Sequence, residues 1–120
     1  MRTLDKIAAW LLLLMGAIHG SATFLVYKTF DINAIWFFSA AIAMWLTAAF
    51  SLLRISYAAL VPPLRWVALA ANLLLLALDV AIAAVVPLRS NPQVTLLAVL
   101  LLLGIAFSLR APYPASPARP

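Results

Sequence analysis

The side chains that could do chemistry in this chain are few. The single histidine, His19, lies in the run Gly16-Ala17-Ile18-His19-Gly20, deep inside the first of four apolar segments. Asp79 stands inside the third segment with Asn72 seven residues before it, and Trp36 and Ser39 fall within the second. An ionisable group in hydrocarbon is costly, so it needs a partner or a purpose. Asp79 is the expected partner of His19, as an ion pair or a proton relay. The plainer expectation for His19 is a neutral imidazole bonded to a neighbouring helix, a link worth about 1 kcal/mol.

Other chemistries find little to work with. There is no cysteine, hence no disulfide, thiolate ligand or thiol nucleophile. One histidine without cysteine does not make an ordinary zinc site, so no metal is expected. Two-histidine haem ligation is excluded by count, which leaves His19 with Met15 or Met44 as the sole axial pairing. Ser39, His19 and Asp79 are a Ser-His-Asp set by residue type, but no nucleophile-elbow or oxyanion signature accompanies them. No resident cofactor is expected; haem and a quinone are the two groups left open.

The elements that must position these residues follow from composition. The chain is 68% hydrophobic and 9% charged, against about half and a quarter in soluble domains. So short a chain cannot hide that much apolar surface from water. The lipid bilayer must be its solvent. Spans are expected at about 7–27, 33–53, 66–86 and 93–109, each near the ~20 residues that cross a bilayer. Gly20-Ser21-Ala22 could pass for a signal-peptide cleavage site, but the apolar run continues through Phe24-Leu25-Val26, so an uncleaved helix is expected. Asn33 is the expected cap of the second span. Pro62-Pro63 and the turn Pro87–Pro92 break the pattern, and the proline-rich tail from 110 to 120 is expected to be extended or disordered and flexible. Short connections predict a single all-α domain, an up-down-up-down four-transmembrane-helix bundle.

Counting about 1.5 Å per residue puts His19, Ser39 and Asp79 at nearly one depth, in the outer half of the membrane. Asn72 and Asp79 share a helix face. Ser39, Ala43 and Thr47 form a small-residue stripe on the second span, and Gly16 and Gly20 form a G-x-x-x-G pair on the first, both expected to serve helix packing. Trp36 is expected as an interface anchor or as a wall at the mouth of a pocket.

The net charge of +5 comes from basic residues scattered singly, not from the patch or stripe of a nucleic-acid binder. Arg2, Lys6, Arg54, Arg65, Arg110 and Arg119 fall on one side and Lys28 and Arg89 on the other. That asymmetry predicts both termini in the cytoplasm.

At His19, and again at Ala34-Ile35-Trp36-Phe37, the chain resembles small bacterial four-helix membrane proteins of unknown function, and in broad architecture it is similar to DoxX-like proteins. The resemblance implies a bacterial inner-membrane location. Small multidrug transporters are similar in length and helix count, but they depend on a glutamate in their first helix and this chain has no glutamate.

Three functions are expected, in order. The outer-half polar cluster holds the head of a lipophilic ligand or docks a partner subunit; or the chain, as a homo-oligomer, is a proton-coupled small transporter or conduit; or it is an enzyme on a membrane-dissolved substrate, with His19 as acid or base and Asp79 orienting it.

Overall fold

The structure, a computed structural model, describes residues 1–86 and 91–114. Four helices follow in order: α1 (Arg2–Val26), α2 (Ile32–Tyr57), α3 (Pro63–Val85) and α4 (Pro92–Leu109). All four are long and apolar enough to cross a membrane. The chain is therefore an all-α, multi-pass four-helix bundle. Residues 87–90 of the expected turn and 115–120 of the expected tail, with Arg89 and Arg119, lie outside the described residues.

Helix ends depart from the expected spans for local reasons. α1 starts at Arg2, not Ile7, so the polar lead is its first turn. An acid there, Asp5, complements the helix dipole. The cap of α2 is Asp31, not Asn33: its carboxylate accepts the backbone N–H of Asn33 and of Ala34, both at 3.0 Å. α2 runs on to Tyr57 and takes Arg54 out of the expected loop. Pro63 and Pro92 open α3 and α4, where a missing N–H costs nothing.

Neighbours in sequence are neighbours in space, and α4 closes the ring against α1. The tightest pairings are α1 with α2 and α3 with α4, so the bundle is two antiparallel hairpins laid side by side. Leu12, Met15, Met44, Leu75, Leu97 and Leu101 form the core. Large apolar side chains point outward all round, Leu25 at 86% and Leu74 at 73% exposure, as lipid-facing surfaces require.

With lipid outside, burial of apolar area does little to drive helices together; close approach and hydrogen bonds do more. Gly16 and Gly20 face α2, where a Cβ on Gly16 would come within 3.0 Å of Trp45 and Met44 and one on Gly20 would meet Ala41 and Phe38. Gly104 gives the tightest fit. A Cβ there would overlap the carboxamide of Asn72.

Candidate functional site

One end of the bundle gathers the α1–α2 loop and the start of α4. A cavity of about 310 Å³ opens there, walled by all four helices. Met44, Leu75, Leu78, Ile82, Val94 and Leu97 supply apolar walls, while His19, Asp79, Asn91 and Gln93 supply polar groups. Trp36 lines the cavity yet is 71% exposed, which puts its indole at the mouth.

His19 comes from the C-terminal third of α1 and is buried. Its ring stacks on Phe37, centroids 4.0 Å apart and planes 18° from parallel. Its Nε2 is 3.1 Å from the Phe37 carbonyl oxygen. A carbonyl only accepts, so Nε2 carries the hydrogen. The side-chain Nε2 of Gln93 lies 2.7 Å from Nδ1, which in the neutral ring holds a lone pair and accepts. Both ring nitrogens are thus satisfied by α2 and α4. The expected His19–Asp79 ion pair is replaced by this arrangement: Gln93, not Asp79, is the side chain that engages the imidazole.

Asp79 lines the same cavity from α3, 3% exposed. Among the described residues it has no hydrogen-bond or ion-pair partner. No described lysine or arginine lines the cavity.

The remaining expected site residues divide between other places. Ser39 is exposed and turns back to donate to the Trp36 carbonyl at 2.6 Å, so it stands at the right depth but on the wrong face to join His19. Asn72 does share the inward face of α3 with Asp79, but two turns away its Nδ2 donates to the Ser51 hydroxyl at 3.3 Å and to the Ala68 carbonyl at 2.8 Å. It is a helix–helix link, not a cavity group. Thr47 is buried and donates to the Ala43 carbonyl one turn back at 2.8 Å.

At the opposite end of the bundle, which holds the start of α1, lies a constellation that hydropathy concealed. Arg54 donates to Asp5 at 2.6 Å, with both side chains almost fully buried. A second guanidinium nitrogen donates to the Phe107 carbonyl at 3.2 Å. Beside this pair the Tyr113 phenol is pushed up from its ordinary 10.0, first by burial and then by the negative charge of Asp5. Arg2 stacks over the Tyr113 ring, 5.9 Å from its centroid. Asp5 and Arg54 read as solvated flanking charges in the sequence; their helical phase toward the bundle axis was the available signal. Gln93, taken as the first residue of a span, was missed for the same reason.

Among the described residues no group of three histidine, cysteine, aspartate or glutamate side chains could hold a metal. Comparison with known protein families, characterised proteins and solved structures finds no match to this chain.

Proposed function

We propose that the chain is a ligand-binding protein of the bacterial cytoplasmic membrane, with both termini on the cytoplasmic side, that holds a lipophilic small molecule in the cavity between its helices. The observation that carries this is the cavity itself: about 310 Å³, mostly apolar, with His19, Asp79, Asn91 and Gln93 as the few polar groups of its lining. That is the usual make-up of a small-molecule site. Its position near one end of the bundle suits a ligand with its head near the membrane surface and its chain among the helices.

Catalysis by His19 has less support, since an imidazole engaged at both nitrogens has no lone pair to offer a substrate. The same engagement weighs against His19 as a haem ligand. Relay of protons between His19 and Asp79 would need a group to bridge them. Orientation rests on charge: with Arg54 neutralised by Asp5, the side bearing the termini still keeps Arg2, Lys6, Arg65, Arg110 and Arg119 against Lys28 and Arg89.

Native mass spectrometry of gently solubilised protein tests the proposal, wild type beside Ile82→Trp, which fills the cavity with an indole. The expected result is a discrete lipophilic adduct on the wild type that the variant loses. A wild type that stays bare when offered total membrane lipid extract would overturn it.

A further inference from the structure

The charge inside the cavity narrows what its occupant can be. His19 is a neutral ring, because the Phe37 carbonyl fixes the hydrogen on Nε2 and Gln93 donates to Nδ1. Asn91 and Gln93 carry no charge. Among the described residues of the lining Asp79 is then the one formally ionisable acid, and no described cation stands among them. A carboxylate 3% exposed, without a protein partner among the described residues, needs a counter-charge to remain ionised.

We propose, building on the ligand-binding reading above, that the cavity is selective for lipophilic amines, whose protonated head pairs with Asp79. Two further features fit such a head. Trp36 holds an indole at the mouth, where its face attracts a passing cation. The amide groups of Gln93 and Asn91 offer carbonyl oxygens to the N–H groups that the carboxylate leaves over. An anionic head, phosphate or carboxylate, would meet Asp79 as a like charge and find no lysine or arginine among the described residues of the lining. The apolar walls of Leu75, Leu78 and Leu97 take the alkyl chain without preference among the three head types.

The test uses three probes with one chain and different heads: octylammonium, octanol and octanoate. Each is titrated at neutral pH into full-length protein in phosphatidylcholine nanodiscs, with empty nanodiscs as reference, and read by calorimetry. The expected result is octylammonium binding roughly tenfold or more tighter than either other probe, the scale of a close charge pair in a desolvated site. In Asp79→Asn octylammonium falls to the level of octanol. Octanol or octanoate binding as well as octylammonium to the wild type would overturn the amine selectivity while leaving a lipophilic-ligand cavity in place. No saturable binding of any probe to the wild type would remove both readings. The wild-type comparison decides the matter even where the variant does not fold.

Discussion

Gln93 Nε2 stands 2.7 Å from His19 Nδ1 and ties α4 to α1 across 74 residues of sequence. This one bond fixes the chemistry of the imidazole. With Nε2–H spent on the Phe37 carbonyl, the ring is held as a single neutral tautomer by groups from two other helices. Removing the amide leaves a buried acceptor unmet, which costs about 1–3 kcal/mol. Gln93→Leu is therefore expected to destabilise the bundle by that order in mixed-micelle unfolding. The double variant His19→Leu/Gln93→Leu should lose less than the two singles together. Additive losses would mean that the two side chains do not interact.

The Asp5–Arg54 pair should behave more sharply. Each charge is buried, and removing one partner strands the other at a cost of about 3–5 kcal/mol. Asp5→Leu and Arg54→Leu are each expected to fold poorly. Asp5→Leu/Arg54→Leu together should regain most of the loss, since a matched apolar pair is often neutral or better. Expression level and unfolding midpoint of the three variants read this directly.

Gly104 carries a steric prediction. Ala at this position drives its Cβ into the Asn72 carboxamide, whose Nδ2 is already committed to Ser51 and Ala68. Overpacking of this kind costs about 1–3 kcal/mol. Gly104→Ala should destabilise the bundle, and Asn72→Ala in the same chain should relieve the clash, so that the second substitution costs less there than in the wild type.

Tyr113 carries a prediction for alkaline pH. Its phenol is raised above 10.0 by burial and by Asp5. The native state therefore holds the phenolic proton over a range where the unfolded chain has lost it. Stability from this group is full below its unfolded value and is lost as pH rises through the folded one. Unfolding measured from pH 9 upward should show this decline in the wild type, with the phenol's own titration followed by ultraviolet absorbance. Tyr113→Phe should flatten it.

The four spans were legible because apolar length alone decides them in lipid. What hydropathy could not see was which way a polar residue near a helix end points. Asp5 and Arg54 fall where flanking charges are normal, and only the angle each subtends on its helix turns them inward to meet. Depth counting placed His19, Ser39 and Asp79 at one level, but a level is a plane and a site is a point. Ser39 faces out, and Asp79 and His19 share the cavity without an ion pair between them. Gln93 escaped notice because a glutamine at the start of a span is ordinary, and its role depends on the height at which α4 meets α1.

The pairing of helices into two hairpins has a consequence for how the molecule comes together. Polar bonds clasp the seam between the hairpins: His19 to Gln93 at one end, Arg54 to the Phe107 carbonyl at the other, and Ser51 to Asn72 between them. Such bonds are directional where lipid-facing leucines are not, so they act as a key that admits one alignment of the halves and rejects a shifted one. The cavity lies on that same seam. The joint that registers the two halves during assembly is thus also a wall of the cavity, and Gln93 belongs to both.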